Sequence, residues 1–216
     1  MYALLAFGFR REFGCDMPEI KKTPVGKPYF PTMPDIHFSL SHSQTHVLCG
    51  LSDRPIGVDI ESPRVLRRRV IEFFTLPEEA LLFAPLELWV LKESYIKLIG
   101  GSLPLVKTIR FTRHGEQIIA PDISSEITAI IPGDKVTDVT ANKSGDKAAD
   151  ATANNPDDKA TGVTVNKPGD ETDNKSVNAS VSAKLYTVEG CTAAVCACDS
   201  ICPDSIELII GSAALI

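Results

Sequence analysis

Asp59 and Glu61 stand two apart in the apolar run Ile56-Gly57-Val58-Asp59-Ile60-Glu61. If that run is a strand, its period of two turns both carboxylates to one face and Val58 and Ile60 to the other. Two neighbouring carboxylates repel unless a cation holds them. Hard oxygen ligands of this kind suit Mg²⁺, which keeps its other positions for water and phosphate oxygens. A solvated edge strand with two exposed acids fits the same pattern. A second group lies in Trp89-Val90-Leu91-Lys92-Glu93-Ser94-Tyr95-Ile96-Lys97. On a helix, Glu93 and Lys97 stack on one face with Trp89 a turn earlier. Glu93 could complete a metal site or take a proton, and Lys97 could hold a phosphate. An ordinary i,i+4 ion pair beside a core tryptophan is the plainer alternative. A third group, Ser39-Leu40-Ser41-His42-Ser43, offers hydroxyls and an imidazole to phosphate oxygens. Nothing supplies a nucleophilic triad around Ser41, and a lone histidine is also compatible with a structural role.

The elements that must carry these residues are legible in outline. Helical spacing of Leu4, Leu5, Phe9 and Phe13 predicts a helix over residues 2–13, stopped by Gly14. Residues 26–31, GKPYFP, read as an extended turn segment. Strands are expected around Phe38 and Leu40, over 47–51 and over 56–61. Residues 64–74 read as a helix carrying Arg67, Arg68 and Arg69, and Leu76-Pro77-Glu78-Glu79 as the opening of another. The strongest helix is 86–98, ended by Gly100 and Gly101. A hairpin of 109–111 with 118–119 is expected to turn at His114-Gly115. The segments KLYTV and TAAVCAC read as a closing hairpin, and 206–210 as a last strand.

Between Thr112 and Leu185 the sequence has no aromatic residue. Within that span a unit of about a dozen residues repeats, beginning at Gly133, Gly145, Asp157 and, in degenerate form, Gly169. So short a unit, rich in Asp, Lys, Thr, Asn and Ala, buries too little apolar surface to offset ordering entropy, and it lacks the large residues that solenoids stack. The expectation is a disordered insertion over 133–180. A calcium loop would need D-x-D-x-D-G spacing and a late glutamate, which are missing.

Overall composition is globular, 44% hydrophobic and 23% charged, so a sizeable core can form. The net charge of −6 argues against a general nucleic-acid binder, which needs a concentrated basic face. No window is apolar for long enough to span a membrane, and the N-terminal run lacks the flanks of a signal peptide. The expected location is therefore the cytoplasm. Four of the six cysteines, Cys191, Cys196, Cys198 and Cys202, crowd near the C-terminus in a spacing unlike the usual zinc patterns. They are expected to be small buried hydrophobes without disulfides.

The order GKP, F-S-L-S-H-S, G-V-D-I-E and W-x-x-K-E-S-Y-x-K resembles the larger, surfactin-synthetase-activating class of 4′-phosphopantetheinyl transferases. The last two motifs are the specific part. The resemblance runs from about Arg10 to Asp122 and resumes from Ala183 to about Leu208. It implies an α+β fold of two similar α/β halves with coenzyme A between them. It also implies transfer of the phosphopantetheine arm to a serine of an acyl or peptidyl carrier protein in fatty acid or secondary metabolite biosynthesis. Carried over by position, Asp59, Glu61 and Glu93 would bind Mg²⁺, and Glu93 would also deprotonate the carrier serine. Lys97 would hold phosphate oxygens. Ser41 and His42 would contact the phosphates of coenzyme A, His42 at the 3′-phosphate; Lys27 would lie near its nucleotide end, and Arg10 or Arg11 would be the family's N-terminal phosphate-binding arginine. Glu78 matches a frequently acidic helix start. Arg64, Arg67 and Arg68, within the basic run that ends at Arg69, could dock an acidic carrier.

The division this implies is an abbreviated N-terminal half over 1–52, a C-terminal half over 53–132 plus 181–216 carrying the metal site, and the repeat insertion over 133–180. A monomer is expected. The shortness of the first half leaves an alternative: an impaired fragment that binds coenzyme A or carrier protein without turnover. A metal nuclease is the third reading. It would want an acid and a lysine close together on a strand and a basic surface facing DNA.

Overall fold

The computed structural model describes residues 1–122, 179–198 and 202, and it has a mixed α+β architecture. Helix α1 spans Tyr2–Phe13 and is closed by Gly14 in the left-handed conformation at φ 68°. Short strands β1 (Lys21–Lys22) and β2 (Pro28–Tyr29) pair with each other. Strands β3 (His37–His42) and β4 (Val47–Ser52) form an antiparallel hairpin. Leu5 and Phe9 of α1 pack with Phe30 and Phe38 into a core of their own, backed by Ile20, Leu40 and Leu51.

Strand β5 (Ile56–Glu61) begins the five-stranded sheet, whose order is β5-β9-β8-β7-β6. Its other members are β6 (Thr112–His114), β7 (Gln117–Ile119), β8 (Val181–Val188) and β9 (Cys191–Cys198), all antiparallel to their neighbours. Between β5 and β6 lie α2 (Arg68–Phe74), a 3₁₀ turn (Glu79–Leu81), α3 (Pro85–Ile99) and a second 3₁₀ turn (Leu103–Lys107). Helix α3 packs on β5 and β9, and its apolar side, with Leu88, Leu91 and Tyr95, forms the main core with Phe74, Phe111 and Cys196. Pro85 opens α3, and the Glu87 carboxylate accepts the N–H of Ala84 at 2.8 Å, which satisfies one donor at the helix start.

Two glycines set how closely β5 is sandwiched. A Cβ on Gly57 would lie 1.9 Å from the backbone oxygen of Ser94, so α3 rests directly on the strand there. A Cβ on Gly50 would lie 2.8 Å from Val58 Cγ1, so β4 presses on the opposite face. Ile56, Val58 and Ile60 pack with Leu48, Ala193 and Val195, while Gly57, Asp59 and Glu61 lie on the α3 side. The period-two reading of the strand is therefore correct.

Several boundaries differ from expectation. Residues 64–67 are not helical; α2 begins only at Arg68. Leu66 is drawn into the core while Arg64 reaches back to Glu61, and both demands hold the segment extended. The helix expected to open at Leu76 is reduced to a 3₁₀ turn. There Glu79 is fully buried, its Oε2 accepting the N–H of Leu76 at 3.1 Å and its Oε1 that of Phe111 at 2.9 Å. Residues 109–111 consequently precede the strand instead of forming it, because the Phe111 amide is already engaged. The hairpin turns at Gly115 and Glu116. The closing β8–β9 hairpin is present.

Cys191, Cys196, Cys198 and Cys202 are buried, as the apolar pattern predicts. Burial pushes the Cys196 thiol up to about 12 and that of Cys202 up to about 11. The repeat units and the strand expected over 206–210 lie outside the described residues, except for Ala179 and Ser180. No helix among the described residues is long and apolar enough to cross a membrane.

Candidate active site

Strand β5 and helix α3 present their polar residues to each other. Lys97 Nζ donates to Asp59 Oδ1 at 2.7 Å, and Trp89 Nε1 donates to Glu61 Oε1 at 3.2 Å. Glu93 lies on the same helical face, one turn from each. The face of α3 read from sequence thus meets the acidic face of β5, and Lys97 pairs with Asp59 across the two elements. The aromatic body of Trp89 packs edge-on against Phe74, with ring centroids 5.1 Å apart, which fixes the indole.

The local charge balance is uneven. Asp59 is only 5% exposed; its Oδ1 takes bonds from both Lys97 and Ser41, while its Oδ2 is buried without a partner. Glu61 accepts from Arg64 at 2.7 Å as well as from Trp89. Glu93 makes no hydrogen bond among the described residues, and its carboxyl is held above the usual range. Burial is the main cause, followed by the Asp59 charge; Lys97 opposes the shift and Glu61 adds to it. A buried oxygen without a donor and a carboxyl raised by two other acids both favour an incoming cation. The donor set, three carboxylates, is the hard-oxygen set that Mg²⁺ takes. Among the described residues, no group of three or more histidine, cysteine, aspartate or glutamate side chains is already placed to hold a metal ion. Arginine and lysine side chains hold part of that donor set.

The serines of β3 have an unexpected position. Ser39 Oγ accepts the N–H of Val58 at 3.0 Å, and Ser41 Oγ that of Ile60 at 3.3 Å. The open edge of β5 is therefore satisfied by hydroxyls, with no backbone pairing to β3. Ser41 also donates its proton to Asp59 Oδ1 at 2.7 Å. His42, at the exposed end of β3, lines an open groove of about 340 Å³ with Ser43, Gln44, Glu61, Ser62 and Arg64. This groove adjoins the acidic face.

Other predicted residues engage elsewhere. Lys27 Nζ donates to the carbonyl of Leu98 at 2.5 Å, capping the end of α3, and burial pushes its pKa down to about 8. Arg10 pairs with Asp16 on the exposed end of α1, beside Arg11 in the last turn. Glu78 pairs with Arg110 at 2.5 Å on the surface. Arg64, Arg67 and Arg68 remain at the surface, with Arg68 held by Glu72 at 2.6 Å, and Val65 among them is 98% exposed.

Two groupings escaped the sequence reading. Lys92, inside the helix motif, is fully buried and donates to Glu79 at 2.7 Å, to Phe74 O at 2.6 Å and to Val106 O at 3.0 Å. A lysine flanked by apolar residues three and four positions away was the available signal. The other grouping sets His46 between the Glu189 carboxylate at 3.0 Å and the Cys191 thiol at 3.4 Å. No sequence spacing could have signalled it, because His46 comes from the turn between β3 and β4 and its partners from the turn between β8 and β9 and the start of β9, which only tertiary packing brings together.

An α+β chain with an acidic strand, a Glu/Lys helix face and an open groove beside them has relatives named for their activity. It is 34% identical over 131 residues to "4'-phosphopantetheinyl transferase Sfp" of Bacillus subtilis (strain 168), an alignment covering 53% of this chain and 58% of that protein. It is 36% identical over 93 residues to a 4′-phosphopantetheinyl transferase of Bacillus subtilis, covering 37% of this chain and 40% of the relative. It is 37% identical over 93 residues to "4'-phosphopantetheinyl transferase gsp" of Aneurinibacillus migulanus, covering 38% of each. The chain is thus similar to several proteins named 4′-phosphopantetheinyl transferases, and it spans between about two fifths and three fifths of their length. No family model matches it.

Proposed function

We propose that this chain transfers the 4′-phosphopantetheine arm of coenzyme A to a serine of an acyl or peptidyl carrier protein, with Mg²⁺ held by Asp59, Glu61 and Glu93. The observation that carries this reading is the Asp59 carboxylate, clamped at Oδ1 by Lys97 with Oδ2 buried and unpartnered, beside the desolvated Glu93. Homology to named transferases supports the same reaction.

Each residue has a chemical task. Glu93 accepts the proton of the carrier serine at its carboxylate, and its raised pKa brings it closer to the working pH. The serine oxygen then bonds to the β-phosphorus, the bond from that phosphorus to the bridging oxygen breaks, and 3′,5′-adenosine bisphosphate leaves. Lys97 keeps N–H donors beyond the one given to Asp59 and uses them on the pyrophosphate oxygens. His42 faces the groove and contacts the 3′-phosphate. When bound, Mg²⁺ supplies charge stabilisation on the phosphate oxygens and orients them. Lys27 serves the nucleotide end by fixing the end of α3, and Arg10 or Arg11 supplies an N-terminal phosphate-binding arginine.

The two-half architecture belongs to the same proposal. The self-contained core of Leu5, Phe9, Phe30 and Phe38 corresponds to a first half over 1–52. The sheet built on β5 corresponds to a second over 53–132 and 181–216, interrupted by the repeat at 133–180. The protein acts as a monomer in the cytoplasm. Arg64, Arg67 and Arg68, with the bare Val65 between them, receive the acidic carrier.

The test is to incubate the protein with coenzyme A, Mg²⁺ and several apo carrier proteins and to weigh the carriers by mass spectrometry. A gain of one phosphopantetheine is expected on at least one carrier. No gain on any, with a control transferase working, rejects the reaction.

A further inference from the structure

We infer that Ser41 is a positioning residue for Asp59. The inference rests on the proposed metal site and concerns how its central carboxylate is held. Ser41 is 5% exposed, and its hydroxyl has one proton, which goes to Asp59 Oδ1 at 2.7 Å. Its oxygen meanwhile accepts the N–H of Ile60 at 3.3 Å, so the hydroxyl is oriented by the neighbouring strand. Lys97 approaches the same Oδ1 at 2.7 Å. Two donors on one oxygen fix the carboxylate and leave Oδ2, which is buried and unpartnered, as the atom available to a cation. Outer partners of this kind orient a ligand and raise its affinity for a metal.

Ser39 provides an internal control. It stands two residues earlier on β3, is also 5% exposed, and accepts the N–H of Val58 at 3.0 Å, but it touches no carboxylate. Replacing either serine removes one edge contact of β5; only Ser41 also removes a donor from Asp59.

Trp89 is the single tryptophan and donates to Glu61, so its fluorescence reports the site. Mn²⁺ is titrated into the full chain, without coenzyme A or carrier, for the parent, Ser41→Ala, Ser41→Thr and Ser39→Ala. Ser41→Ala is expected to weaken Mn²⁺ binding roughly 10–100-fold, the range found when an outer partner of a metal ligand is lost. Ser41→Thr keeps the hydroxyl and should rescue most of that loss. Ser39→Ala should lower the melting temperature about as much as Ser41→Ala while leaving Mn²⁺ affinity near the parent value. Where Ser41→Ala folds poorly, Ser41→Cys, of similar size but a weak donor, carries the comparison. Parent-like affinity in Ser41→Ala or Ser41→Cys overturns the inference, as does an equal loss in Ser39→Ala. Neither result depends on transfer, so failure of the carrier assay would count only against the proposed reaction.

Discussion

Lys97 and Asp59 meet at 2.7 Å across the contact between α3 and β5, in a pair whose lysine is 29% exposed and whose aspartate is 8% exposed at the side chain. The pair joins the two sequence motifs that carry the resemblance to phosphopantetheinyl transferases. Asp59→Ala is expected to keep the fold, because the freed Lys97 still reaches solvent. It should lower transfer by roughly 10²–10³-fold or more, the cost of removing one preorganised charge-stabilising group. Circular dichroism and the carrier mass assay check both parts. Parent-like transfer by this variant would remove Asp59 from the site.

Glu93 gives a prediction with a sign. Its folded pKa lies above the ordinary value, so the folded state holds the proton more tightly than the unfolded chain does. Below the ordinary glutamate range both states are protonated and the group is neutral in effect. As pH rises through the ordinary value and then the raised one, the folded state must bear a desolvated charge beside Asp59, and stability falls. Glu93→Gln should therefore stabilise the metal-free protein more at pH 8 than at pH 4, while transfer is lost. Thermal melts in a chelator at the two values measure this. An equal gain at both would place the charge elsewhere.

Gly57 is where the helix touches the strand. A Cβ there overlaps the backbone oxygen of Ser94 at 1.9 Å, and backbone cannot move aside as a side chain can. Gly57→Ala should cost about 1–3 kcal/mol, the usual range for overpacking. It should also lift Glu93 and Lys97 away from Asp59, and a misplacement on the order of 1 Å can lower a rate about 10²-fold. Urea unfolding and single-turnover transfer test the two effects. A variant as stable and active as the parent would show that α3 does not rest on β5.

Glu79 and Lys92 form a wholly buried ion pair that ties the 3₁₀ turn before α3 to the helix itself. Burial lowers the Lys92 pKa, and the Glu79 hydrogen bond and charge oppose that shift. Lys92→Met leaves an uncompensated carboxylate and should cost about 3–5 kcal/mol, whereas replacing both members by apolar residues should cost much less. Chemical denaturation of the single and double variants decides this. Additive losses would contradict a coupled pair.

Strands β7 and β8 are adjacent, with Ile119 opposite Ser182. The chain therefore leaves and re-enters the sheet at neighbouring points, and a short turn can bridge them. Replacing residues 133–178 by a short glycine-serine link should shift the melting temperature little and preserve transfer, since closure entropy changes slowly with loop length. A collapse in folding would make the repeat a structural element.

Much of this was legible in the sequence because it depends on local periodicity. The alternation of Val58, Asp59, Ile60 and Glu61 fixes which face of β5 is acidic. The spacing of Trp89, Glu93 and Lys97 fixes one face of α3, and Gly14 and Gly100 fix where two helices stop. The identity of each pair across those faces needed the tertiary structure. Lys97 could equally have bonded Glu93 on its own helix; it bonds Asp59 because Gly57 lets α3 sit against β5. Ser41 reads as a phosphate donor in isolation, and only the approach of β3 to the open edge of β5 turns its proton toward Asp59. Lys92 and Glu79 are both charged residues that a sequence assigns to the surface, yet packing of α3 against the turn and Phe111 buries them together. Contacts of this kind join residues far apart in the chain, so they follow from how elements pack and not from the spacing within any one of them.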